Sequence, residues 1–94
     1  PLIQGVYELA QKGFIPGGTK RNLDYVSSQV NFSKNISQEQ QYLLADAQTS
    51  GGLLISVAKE KAEDLQKTLT ENNTLSSAIV GHVYNPAEST IYVN

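Results

Sequence analysis

The stretch Asp46-Ala47-Gln48-Thr49-Ser50-Gly51-Gly52-Leu53-Leu54-Ile55 constrains this chain most. It sets an acid, an amide, two hydroxyls and a glycine pair directly before an apolar run. Leu53-Leu54-Ile55-Ser56-Val57 is short, β-branched at two positions and bounded by glycine, which predicts a buried strand. A polar, glycine-punctuated loop feeding a strand has two common uses. It is either a plain tight turn, or an anion cradle whose N–H groups and hydroxyls face a phosphate. Residue chemistry alone leaves both open.

The rest of the chain supplies short elements around this stretch. Leu2, Val6 and Leu9 fall at helical spacing, with Ile3 and Ala10 beside them, and Gly13 suits a left-handed stop; a helix is expected over 2–12. In Phe14-Ile15-Pro16-Gly17-Gly18-Thr19-Lys20-Arg21-Asn22, Pro16 and Gly17 fit the central positions of a type II turn. Phe14 and Ile15 are expected to anchor this loop to the core. The plainer reading of the loop is a solvated turn with Thr19 as cap of the next helix. That helix is expected from Leu23 to about Ser28, followed by an extended or irregular piece at Val30-Asn31-Phe32.

Ser37-Gln38-Glu39-Gln40 is a capping box that opens a helix over 38–45. A longer helix is expected from Lys59 to Asn72. Its inward stripe is Ala62, Leu65 and Leu69, and its i,i+4 pairs are Lys59–Glu63 and Glu63–Lys67. Asn72-Asn73 suits a left-handed stop. Ala78 to Tyr84 reads as a strand, Asn85-Pro86-Ala87-Glu88-Ser89 as a hairpin connection, and Thr90 to Val93 as the return strand. The fold class is therefore α+β: an antiparallel or mixed sheet with helices packed on one face, in a single domain over 1–94. His82 lacks a carboxylate or hydroxyl neighbour in sequence and reads as a half-exposed strand residue, not a general base.

Composition narrows the function. The 94 residues can bury roughly 60–65% of their unfolded surface. A net charge of −2 gives no basic field, so nucleic acid is not an expected partner. No run is long enough to cross a bilayer and no opening segment has signal-peptide form, so no membrane partner and a cytoplasmic location are expected. The absence of cysteine excludes disulfides and thiolate chemistry within these residues. Methionine is also absent, even at position 1, which suggests a piece of a longer protein.

Three motifs carry a family resemblance. Asp46-Ala47-Gln48-Thr49-Ser50-Gly51-Gly52-Leu53-Leu54 resembles the Asp-Pro-Gln-Thr-Ser-Gly-Gly-Leu-Leu signature of selenophosphate synthetase, or selenide, water dikinase. Gly13 to Asn22 resembles that family's Gly-x-x-Pro-Gly-Gly-Thr-x-Arg-Asn segment, and Ile79-Val80-Gly81-His82-Val83 resembles its Ile-Ile-Gly-x-Val strand. The resemblance implies the later part of the C-terminal α+β domain in an aminoimidazole-ribonucleotide-synthetase-like enzyme.

The implied reaction converts ATP, selenide and water to selenophosphate, AMP and phosphate, with magnesium. The implied partner is an N-terminal ATP-binding domain of the same chain, in a homodimeric parent. The family's reactive cysteine or selenocysteine, its lysine and its metal-holding aspartates lie upstream. This piece alone is accordingly expected to hold no catalytic residue, to bind no metal or ATP, and to be inactive.

The residues implied to line or brace the phosphate cleft are Gln48, Thr49, Ser50, Gly51 and Gly52, with Gly17, Gly18, Thr19, Arg21 and Asn22. Asp46 is expected to order its loop through an Asx turn. Ala47 departs from the family's proline, which relaxes the loop entry. The competing readings are a free-standing phosphate- or nucleotide-binding module and a sister enzyme of the same superfamily. The Gln48–Gly52 run argues against the sister enzyme.

Overall fold

A computed structural model describes residues 1–85 and 90–94. The chain divides into two compact units. The larger comprises Leu2–Ser50 with Asn85–Asn94; the smaller comprises Gly51–Tyr84 with Pro1.

In the larger unit the order is α1 (Val6–Gln11), α2 (Gly17–Val26), β1 (Val30–Phe32), α3 (Gln38–Leu44) and, far along the chain, β2 (Ile91–Val93). Helix α1 starts at Val6, later than its apolar spacing predicts. Gly5 takes φ +83°, a left-handed conformation that cannot continue a helix, so Leu2 and Ile3 stay exposed. The buried position is Ala10, 5% exposed. The stop at Gly13 is as expected: φ is +83°, Gly13 N–H bonds the Ala10 carbonyl at 2.9 Å, and Phe14 N–H reaches the Leu9 carbonyl at 3.1 Å. These two bonds form a Schellman motif. Phe14 does not anchor the loop; its ring is exposed, while Ile15 is half-buried.

Helix α3 confirms its capping box. Ser37 Oγ accepts from Gln40 N–H at 3.3 Å, and the Gln40 side chain accepts from Ser37 N–H at 2.8 Å. The Ser37 hydroxyl proton goes to Glu39 Oε2 at 2.8 Å, so the Tyr7 hydroxyl, 3.4 Å away, is the donor in its contact with Ser37. One serine thus ties α1 to the start of α3. The helices pack mainly on one another: α3 lies against both α1 and α2. A cavity of about 200 Å³, lined by Val6, Leu9, Ala10, Tyr42, Leu43 and Thr19 among others, marks where they meet.

The sheet corrects the expectation. β1 and β2 pair in parallel, with Val30 opposite Ile91 and Phe32 opposite Val93. The ladder is closed by Ile91 N–H to the Gln29 carbonyl at 2.9 Å and by Ser33 N–H to the Val93 carbonyl at 2.8 Å. Parallel strands need a long crossover, and the residues between them supply it. The return strand therefore runs parallel to its partner β1, not antiparallel as expected. The expected hairpin connection falls largely on 86–89, outside the described residues.

The smaller unit holds a 3-10 turn (Lys59–Lys61) and α4 (Ala62–Glu71). Ala62, Leu65 and Leu69 form the half-buried stripe as expected. Asn73 takes φ 56°, with Asn73 N–H on the Thr70 carbonyl and Thr74 N–H on the Leu69 carbonyl, a second Schellman stop. Gln66 Nε2 donates to the Ser77 carbonyl at 3.2 Å, and the Thr70 and Ser77 hydroxyls meet at 2.8 Å, which folds the following segment back on α4. Lys59 lies in the 3-10 turn, and neither expected pair, Lys59–Glu63 or Glu63–Lys67, forms among the described residues; Lys67 pairs with Glu71 at 3.9 Å instead.

The stretches 53–57 and 78–84, expected as strands, have no ladder partner among the described residues, and their side chains are exposed. His82 is exposed and lies in tilted ring contact with Tyr84, centroids 6.3 Å apart. No helix of the described residues is long and apolar enough to cross a membrane.

Candidate functional site: a groove where two motifs meet

The site begins with the way α2 starts. Pro16 is its N-cap, extended at φ −60°, ψ 145°, and the helix runs from Gly17. The expected type II turn does not form: Gly17 lacks a positive φ, and Thr19 is inside the helix, not its cap. Once Gly17–Asn22 is helical, Thr19 and Asn22 share a face at i,i+3. That face meets the C-terminal end of α3.

Three contacts lock the two motifs together. Asn22 Nδ2 donates to the Ala45 carbonyl at 3.1 Å, satisfying one of the acceptors a helix end leaves open. Thr19 Oγ1 donates to Asp46 Oδ1 at 2.7 Å. A methyl group placed on Gly18 would lie 3.3 Å from the Ala47 Cβ, so glycine permits this approach of helix and loop. Thr19 is 1% exposed, the most buried polar side chain described. Asp46 therefore orders its loop through a helix-borne hydroxyl, not through the expected Asx turn.

A groove of about 570 Å³ opens beside this lock, lined by Asn22, Leu43, Leu44, Asp46, Ala47, Gln48 and Thr49. Leu43 and Leu44 give it an apolar wall. Asn22, Gln48 and Thr49 bring amide and hydroxyl groups, which suit the oxygens of a phosphate. Of the candidate cleft residues, Gln48, Thr49 and Asn22 are thus brought together at one groove. Thr19 stands behind them and does not line the groove.

Arg21 is exposed at the start of α2, its guanidinium 3.4 Å from the position a Gly17 Cβ would take and 4.0 Å from that of Gly18. Gly17, Gly18 and Arg21 stand outside the lining, as does Ser50. Gly51 and Gly52 belong to the smaller unit, and no atom comes within 4 Å of a Cβ placed on Gly52. Asp46, Leu43 and Leu44 were not among the sequence-derived site residues. The i,i+3 spacing of Thr19 and Asn22 is the signal that points to them, once Gly17–Asn22 is read as helix.

For a metal ion, the donor set is thin. Asp46 is the carboxylate of the groove, and one of its oxygens is engaged by Thr19. Among the described residues no three His, Cys, Asp or Glu side chains gather into a possible metal site.

The architecture is thus that of an α+β protein whose polar groove forms between the start of one helix and the end of another. Compared with known proteins, the chain is 45% identical to a selenide, water dikinase of Clostridioides difficile over 93 residues, which is 99% of this chain and 27% of that protein. It is 48% identical to the selenide, water dikinase of Caldanaerobacter subterraneus subsp. tengcongensis over the same shares. With that of Aliarcobacter butzleri it is 37% identical over 94 residues, all of this chain and 27% of the relative. Over nearly its whole length, then, the chain is similar to the C-terminal part of the selenide, water dikinases, as its motifs indicate. It spans about a quarter of the length of these curated relatives. No family model matches it, and no solved structure matches it.

Proposed function

We propose that this chain is the C-terminal part of a selenide, water dikinase and that the groove at Asn22 and Asp46–Thr49 forms one wall of its phosphate-handling cleft. The observation that supports this most is the meeting of the two family motifs at one groove, in a chain that matches such enzymes along its whole length. The reaction so assigned takes ATP, selenide and water to selenophosphate, AMP and phosphate.

In this reading Asn22, Gln48 and Thr49 donate hydrogen bonds to phosphate oxygens, and Arg21 adds a cation at the neighbouring helix start. Ser50, Gly51 and Gly52 extend the loop beyond the groove, and Gly17, Gly18 and Thr19 brace it. Magnesium, when bound, neutralises phosphate charge. The residues here fit phosphate better than a complete metal cage, so its ligands and the nucleophile belong to upstream residues of the parent. An N-terminal ATP-binding domain, a homodimeric parent and a cytoplasmic location go with this reading. The exposed apolar side chains of 53–57 and 78–84 support it, because such surface in an enzyme is ordinarily covered.

The test is selenide-dependent formation of AMP by the full-length protein. Gln48→Ala and Thr49→Ala there are expected to raise KM for ATP about tenfold each, as loss of a charge-assisted hydrogen bond would. The 94-residue chain alone is expected to form no AMP. ATP consumption independent of selenide would refute the assignment. Tight ATP binding by the isolated chain in calorimetry would favour a free-standing nucleotide-binding module, since all groove residues lie in one unit.

A further inference from the structure

We infer that the Thr19–Asp46 hydrogen bond is a positioning latch that holds Gln48 and Thr49 in the register the groove requires. The inference rests on the proposed function for its kinetic readout, but its structural content stands on the geometry. Thr19 is nearly inaccessible, yet its hydroxyl is spent on a residue in another segment, 2.7 Å away. A hydroxyl donating to a carboxylate at this distance is a charge-assisted bond, stronger than a neutral one.

The partner, Asp46, is itself exposed and stands two residues before Gln48 in the groove wall. On the preceding side Asn22 fixes the Ala45 carbonyl, and on the following side Gly18 receives Ala47. Residues 45–47 are thus held one by one from α2, and the donors at 48 and 49 inherit their position. Thr19 and Asp46 are positioning residues: they act on the ligand through Gln48 and Thr49. A misplacement of about 1 Å at such donors can lower catalysis about 100-fold.

The experiment uses the full-length protein. Thr19→Val keeps the volume and removes the donor; Thr19→Ser keeps the donor. Thr19→Val is expected to lower kcat/KM for ATP about 10- to 100-fold and to raise hydrogen exchange of the peptide covering 45–50 about tenfold, while Thr19→Ser returns both to within about threefold of the parent. Asp46→Ala, at an exposed position, gives a variant expected to fold and to show the same loss. The double variant is expected to lose no more than either single one, because the two residues act as one unit. Exchange of 45–50 unchanged in both Thr19→Val and Asp46→Ala overturns the latch, as do losses that multiply in the double variant. If the parent protein forms no selenide-dependent AMP, the proposed function fails and the exchange data alone decide the latch. If it forms AMP and Thr19→Val keeps full kcat/KM, the latch fails and the proposed function stands.

Discussion

The two units have similar proportions of apolar sequence and use them to different ends. In the larger one, three short helices close around Ala10 and Thr19, α1 ends in a Schellman turn and α3 starts from a capping box. In the smaller one, α4 is well stopped, yet Leu53 is 91% exposed, Leu54 85% and Val83 87%. The difference shows what an apolar run does not supply. A helix satisfies its backbone from within, whereas a strand is defined by a neighbour. The smaller unit has strand-like sequence without a strand's partner among the described residues.

The largest expected effect tests that contrast directly. In the 94-residue chain, amides of 53–57 and 78–84 should exchange at nearly unprotected rates while those of α3 are slowed. In the full-length protein their protection should rise about 100-fold or more as neighbouring chain pairs with them. Unchanged exchange there would break the comparison, because the exposed segments would then be a property of the unit itself.

Next comes the core of the larger unit. Ala10→Asp places a carboxylate at a 5% exposed position and should lower stability by about 3 kcal/mol or more in urea titration. Leu54→Asp, at an exposed position, should cost the isolated chain less than about 0.5 kcal/mol. Similar losses at the two sites would erase the distinction between the units.

Ser37→Ala removes the cap of α3 together with its link to Tyr7 and should cost about 1 kcal/mol, read as a shift of the urea midpoint.

A smaller effect follows from Glu39. The Ser37 hydroxyl, and then the Glu39 backbone N–H, hold its carboxyl below the ordinary value of 4.5. The fold therefore favours the ionised form. That contribution is complete above the unfolded carboxylate's pKa and is lost as pH falls through the lowered folded value. The stability difference between the parent chain and Glu39→Gln, measured by urea midpoint, should accordingly shrink on acidification from about pH 7 to about pH 3.

The smallest effect belongs to the smaller unit: Lys67→Ala, which deletes an exposed 3.9 Å ion pair, should change stability by less than about 0.5 kcal/mol.

Local chemistry was legible and pairing was not. The capping box at Ser37, the left-handed stops at Gly13 and Asn73 and the inward stripe of α4 each depend on residues within one or two turns, and each is found as the sequence predicts. Gly5 escaped notice because a glycine inside an apolar stripe looks like a tolerated gap, and only its φ shows it as a boundary. Pro16-Gly17 satisfied a turn rule and a helix-start rule equally; packing of Gly18 on Ala47 decides for the helix. The partner of β2 depends on residues far away, so no local signal could choose β1 over 78–84. For the site, Asn22, Gln48 and Thr49 come from two separate motifs and line one groove, but neither motif shows that Asp46 takes its partner from Thr19.

The parallel pairing of β1 with β2 has a consequence for synthesis. Strand β1 is translated before residues 51–84 of the smaller unit, and its partner β2 after them. Through that interval the edge of β1 is open to any passing extended segment, including the apolar runs at 53–57 and 78–84 of its own nascent chain. The waiting time of one short strand thus sets how long the growing polypeptide is exposed to mispairing.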